Sequence, residues 1–127
     1  SLHLHFLDQS KIALAEEAIK KGMGVLAISP ADKGGRLYAP SETLLKASAP
    51  YHPLELAYRF LISEGISTLT LGATKFEDFN IAKKLINSTQ KLTTSEIIAL
   101  ENIEKLPLFA VLIGERSFLS KNCSPSE

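Results

Sequence analysis

One cysteine, one methionine and no tryptophan occur among the 127 residues, and each scarcity closes off a class of protein. A lone thiol, Cys123, makes no internal disulfide, so this is not a disulfide-stapled scaffold. Charge of either sign is equally missing as an excess. Fourteen basic and fourteen acidic residues cancel, leaving no global field to favour nucleic acid or an anionic membrane. Lys20-Lys21 and Lys83-Lys84 read as solvated helix surfaces. The longest apolar run, Leu108 to Ile113, is far short of the ~20 residues that span a bilayer. No basic segment precedes an apolar stretch at the N-terminus, so no signal peptide is expected. These absences point to a cytoplasmic protein with neither nucleic acid nor membrane as partner.

Catalytic and metal motifs are missing too. There is no Gly-rich Walker loop, no Gly-X-Gly-X-X-Gly fingerprint, no Cys-X-X-Cys pair and no Ser-His-Asp set. Tyr38, Tyr51 and Tyr58 could donate protons, but none has an evident Lys, Asp or His retinue, and Tyr58 falls inside a helix. His3 and His5 would point the same way from a strand, a metal-ligand spacing, yet no further His or Cys completes a site. A packed or hydrogen-bonded pair is the reading for them, and His52, before Pro53, reads as a loop residue. No catalytic or metal residue is assigned.

What is present is a run of strand-then-helix units, an α/β pattern. Leu2 to Leu7 reads as a strand. A helix follows, capped by Asp8 or Ser10, with Ile12, Leu14, Ala15, Ala18 and Ile19 near one face, and Gly22 ends it. Val25 to Ile28 is a continuous apolar run, the signature of a strand covered on both faces. Residues 31–51 are irregular, with a short helix expected around Ser41 to Lys46, and a stretch of that length is often functional. Pro53 suits the first position of a helix carrying Leu54, Ala57, Phe60 and Leu61 on one face and ending at Gly65. A strand over Ile66 to Leu71 leads to Thr74-Lys75-Phe76-Glu77, read as a capping box, and a helix with Phe79, Ala82, Leu85 and Ile86 inward. Thr93-Thr94-Ser95-Glu96 is a second box, opening a helix with Ile97, Leu100, Ile103 and Leu106 that Pro107 stops. The rest reads as a docked apolar tail and a disordered end.

This alternation predicts parallel strands joined by right-handed crossovers. Both polar turns, Ser29-Pro30-Ala31-Asp32-Lys33-Gly34-Gly35 and Gly72-Ala73-Thr74-Lys75, then fall at the carboxyl ends of adjacent strands, where α/β folds bind ligands. Gly72 permits close backbone approach, Thr74 offers a hydroxyl and Lys75 a charge suited to phosphate; the alternative is a plain helix cap with a solvated lysine. Ser29 and Lys33 could contact a ligand in the same way, or the segment could be a flexible connector.

These pieces also carry a resemblance. Lys20-Lys21-Gly22-Met23-Gly24-Val25-Leu26-Ala27-Ile28-Ser29-Pro30 resembles the sixth helix and seventh strand of aldo-keto reductases. Pro53-Leu54-Glu55-Leu56-Ala57-Tyr58-Arg59-Phe60-Leu61 is similar to their seventh helix, and Leu71-Gly72-Ala73-Thr74 to the end of their eighth strand. Leu92 to Leu106 is similar to the helix that follows barrel closure. The resemblance runs over residues 1–106, and the Asp32 to Tyr38 turn is most similar to a bacterial oxidoreductase subgroup.

It implies part of a (β/α)₈ TIM barrel, strands six to eight, over residues 1–91, followed by a C-terminal helix and extended tail over 92–127. It further implies NADP(H)-dependent reduction of a carbonyl substrate, with the catalytic residues on earlier strands. Ser29, Pro30 and Ala31 would approach the pyrophosphate, and Gly72, Thr74 and Lys75 the adenosine phosphate; Lys33, which could meet a phosphate, is counted with them as a cofactor-binding candidate. Ile28 replaces a usual aromatic, Asp78 a usual Arg or Gln, and Ile81-Ala82 a usual Glu-Asn pair. These departures weaken the expectation of NADP(H) and leave a second reading, a non-catalytic degenerate domain acting by self-association. Some relatives carry an iron–sulfur extension, but Cys123 alone cannot supply its ligands, so no cluster is expected. Three strands with open edges imply a homo-oligomer or a part of a longer chain, and the missing initial methionine is read as processing, trimming or a missing upstream segment.

Overall fold

A computed structural model describes residues 1–6, 8–32, 35–88 and 90–107. The expected apolar tail and disordered end, Cys123, and the loop residues Lys33 and Gly34 lie outside them. The chain is α/β. Strands β1 (Leu2–His3), β2 (Leu26–Ile28) and β3 (Thr68–Leu69) form one parallel sheet in the order β1-β2-β3. Leu2 pairs with Ala27 and His3 with Ile28; on the other side Leu26 pairs with Thr68 and Ala27 with Leu69.

Each ladder is shorter than the apolar pattern suggested. The expected Leu2 to Leu7 strand is in the ladder at Leu2–His3, the Leu4 N–H still donates to the Ile28 carbonyl at 3.2 Å, and His5 then turns back to bridge Asp8. Thr68–Leu69 is all of the third strand that is in the ladder. The neighbouring Ser67 and Thr70 still donate backbone N–H groups to Val25 and Ala27, at 3.0 and 3.1 Å.

Helix α1 (Ile12–Lys20) has no side-chain cap. Asp8 instead accepts from the Ser10 hydroxyl and N–H, closing the turn before it. Gly22 (φ 78°) ends α1, where the Gly22 and Met23 N–H groups reach the Ile19 and Ala18 carbonyls, a Schellman-type closure. A 3₁₀ turn (Arg36–Tyr38) and α2 (Glu42–Ser48) break up the irregular segment, and Ser41 caps α2 by accepting from the Leu44 N–H.

Helix α3 (Pro53–Ser63) starts on Pro53 as its sequence requires, and it is buried almost all round. Leu54, Leu56, Tyr58 and Leu61 are at most 1% exposed. A helix so deeply covered is the centre of a core, not its lid. It packs with Leu4, Phe6, Val25, Ala27 and Ile66 from the sheet region, Ala15 from α1, and Ala99, Leu100 and Ile103 from α5 (Thr94–Glu104). Phe6 meets Phe60 edge to face at 5.2 Å between centroids. Helix α5 therefore shares one core with the strands. Arg59 of α3 binds it directly: the guanidinium donates to both Glu96 carboxylate oxygens, at 2.7 and 3.1 Å, and to the Lys91 carbonyl.

Three expectations for helix faces are corrected. In α1, Leu14 is 56% exposed while Ile12, Ala15, Ala18 and Ile19 pack on the core. In α4 (Phe79–Leu85), Ile81 and Leu85 pack on the core while Phe79 is 39% and the following Ile86 76% exposed. The 3₁₀ turn Phe76–Asp78 shifts the phase of the helix after it, so Phe79 rotates outward onto Phe76. In α5 the inward stripe is Ala99, Leu100 and Ile103, with Ile97 and Ile98 outside.

Candidate functional site

Parallel pairing brings the carboxyl ends of β2 and β3 side by side, and a cavity of about 460 Å³ opens between their loops. Ser29, Pro30, Ala31, Gly72 and Thr74, all singled out from sequence, line it together. Ile28, Asp32, Gly35, Tyr38, Thr70 and Asp78 complete the described lining. Lys75 is not on the lining, although its backbone belongs to the turn beneath it.

The first wall is built from the described residues of the Ser29 turn, Ser29–Asp32 and Gly35. Ser29 (φ 59°) and Asp32 (φ 66°) both adopt the left-handed conformation that side chains disfavour. Backbone bonds hold it: Asp32 N–H to the Ser29 carbonyl, Gly35 N–H to that of Asp32, and Leu37 N–H to that of Ala31. Side chains from the β1 segment then reach across. The Ser29 hydroxyl lies 3.3 Å from His3 Nδ1, and the buried His5 Nε2 lies 3.4 Å from the buried Asp32 Oδ1. Arg36 Nε stands 3.6 Å from the other Asp32 oxygen. The two histidines thus meet one turn, one from an exposed and one from a buried position. Among the described residues no group of three or more His, Cys, Asp or Glu is placed to hold an ion.

Tyr38 ends that wall, its hydroxyl 3.2 Å from that of Tyr58. Tyr58 is buried in α3, and burial, then its contact with Tyr38, pushes its phenol well above the usual tyrosine range. It stays protonated and acts as a support for Tyr38.

The second wall carries the capping arrangement expected at Thr74, shifted by one residue. Asp78, not Glu77, closes it. A single oxygen, Oδ2, accepts from the Thr74 N–H (2.9 Å), the Thr74 hydroxyl (3.2 Å) and the Lys75 N–H (3.1 Å). Chiefly through the Thr74 N–H, these bonds hold the Asp78 carboxyl below the usual carboxylate range. The Thr74 hydroxyl and the backbone N–H groups of Thr74 and Lys75 are therefore already used by the chain's own carboxylate, while the Lys75 ammonium makes none of these bonds.

Sequence reasoning missed Asp32, Tyr38 and Thr70 as wall residues and His5 as a support. Only Asp32 and Arg36 left a trace, four residues apart and opposite in charge. The His5 and Tyr58 contacts are tertiary and leave no local pattern.

In comparisons with known proteins, the chain matches no family model, no curated protein and no solved structure. Among the described residues no helix is long and apolar enough to cross a membrane.

Proposed function

We propose that this chain is the C-terminal segment of an aldo-keto-reductase-like, NAD(P)(H)-dependent oxidoreductase acting on a carbonyl substrate. It forms strands six to eight of a (β/α)₈ barrel and works in the cytoplasm. It carries loops on the cofactor side, and the catalytic groups belong to strands outside this chain. One observation carries the reading: the Ser29–Ala31 and Gly72–Thr74 turns, at the carboxyl ends of adjacent parallel strands, wall a single cavity. The test is calorimetric titration of the purified chain with NADH and with NADPH. Gly72 lines the cavity, and a Cβ built on it meets nothing within 4 Å. Gly72→Leu should therefore abolish saturable binding at unchanged melting temperature. Failure of both dinucleotides to bind a folded, monodisperse sample overturns the proposal.

A second reading, a non-catalytic domain that self-associates, draws on the sheet edges. Beside β1 runs a groove of about 300 Å³ lined by Leu2, Leu14, Ala18, Met23 and Val25. Beside β3 runs one of about 340 Å³ lined by Ile66, Leu69, Leu71, Leu85 and Ile86. Met23 and Ile86 are 60% and 76% exposed. Burying such edges against a second copy would continue the parallel sheet. Sedimentation should then show an oligomer that Ile86→Lys disperses, and a monomer at all concentrations would remove this reading.

A further inference from the structure

The wiring of Asp78 assigns a ligand chemistry to the cavity. Three donors converge at the turn that ends β3, a geometry that elsewhere would hold a phosphate. Here Oδ2 of Asp78 occupies all three. Oδ1 accepts no hydrogen bond from any described residue, and Asp78 lines the cavity. The other charged side chain on the described lining, Asp32, is also a carboxylate, and it faces His5 and Arg36. Lys75 acts on Asp78 electrostatically but is not on the lining, so the lining at this end presents a carboxylate with an acceptor oxygen.

We infer that Asp78 is a specificity-determining residue: it receives hydroxyl donors, such as a ribose diol, and rejects a phosphoryl group at this end of the cavity. A carboxylate suits a diol because one or two O–H groups can donate to the oxygen that the turn leaves open. A phosphate brings only acceptors and like charge, and would have to displace a carboxylate held by three bonds. The same opposition, carboxylate for hydroxyl and cation for phosphate, separates the two nicotinamide dinucleotides in other folds. The inference rests on the oxidoreductase reading, and it narrows the cofactor to NAD(H).

The experiment titrates the full chain with NADH and with NADPH, in the wild type, Asp78→Asn and Asp78→Glu. The wild type should prefer NADH by about tenfold, the effect of a like-charge contact in a partly solvated site. Asp78→Asn removes the charge and should bring the ratio near one, while Asp78→Glu retains the charge and should keep the preference. Thermal melts of all three check that the turn survives. Equal or tighter binding of NADPH by the wild type overturns the inference and leaves the oxidoreductase reading standing. An unchanged ratio in a folded Asp78→Asn variant does the same. Binding of neither dinucleotide removes both.

Discussion

The α3–α5 contact and the cavity rim use the same kinds of side chain under opposite conditions. At α3–α5, a cation and a carboxylate are buried together, with Arg59 Nε and Nη2 bonded to both Glu96 oxygens and to the Lys91 carbonyl. Arg59 and Glu96 are 5% and 7% exposed in their side chains, and Glu96 also accepts from the Thr93 N–H that begins α5. At the rim the strands are short, two residues sit in the left-handed region, and one oxygen of the Asp78 carboxylate is spent on its own backbone turn. One region fixes a helix against the core, and the other holds open a cavity. One role is packing and the other is the proposed ligand specificity, and substitutions should separate them.

The largest effect is expected at the buried pair. Arg59→Ala strands Glu96 in the core and leaves the Lys91 carbonyl without this donor, which costs about 3–5 kcal/mol. Urea unfolding measures it, and a loss below about 1 kcal/mol would show that water reaches the pair. Acid should attack the same place. The Arg59 guanidinium, ahead of the opposing effect of burial, holds the Glu96 carboxyl below the usual glutamate range. Its folded value is depressed, so its stabilisation is present above the unfolded value and is lost as pH falls through the lowered one. Glu96→Gln should flatten that acid limb, read from melting temperature against pH.

What sequence revealed of these two regions differs for a physical reason. Pro53 at the start of α3 and the Thr93–Glu96 box at α5 are local devices, complete within four residues, and both stand where the pattern put them. The Thr74 box looked equally local, but Asp78 competes with Glu77 for the same N–H groups and the 3₁₀ turn gives it the shorter reach. One residue of slip then rotated Phe79 and Ile86 into solvent. The α/β alternation and the convergence of the two turns were legible because parallel pairing dictates them. The His5–Asp32–Arg36 cluster was not, because its members meet only after the sheet forms.

A middle-sized effect sits between the two regions. His52, read as a loop residue, is the N-cap of α3: its Nδ1 accepts from the Leu54 N–H at 3.1 Å. Accepting through Nδ1 requires the neutral ring, and burial lowers its value below the usual histidine range. The unfolded chain then takes up the proton first, so stability falls as pH drops from the ordinary histidine value to the lowered one. His52→Ala should cost about 1 kcal/mol at neutral pH. His52→Asn should restore the cap and abolish the dependence, and if the dependence persists another group causes it.

The smallest effect should be the most informative about the rim. Ser29 holds a left-handed conformation and touches His3 through its hydroxyl. Ser29→Ala keeps the strain and loses the contact, for a loss of about 0.5–1 kcal/mol. Ser29→Gly loses the same contact but relieves strain of about 1 kcal/mol, so its net change should lie within about 0.5 kcal/mol of zero. Comparing the two by urea unfolding isolates the backbone term, because the lost hydrogen bond is common to both. If glycine proves neutral for stability while dinucleotide affinity falls for both variants, the serine is kept at this position for the cavity and not for the fold. If glycine costs as much as alanine, the turn is not strained at Ser29, and its contrast with the α3–α5 contact narrows to burial alone.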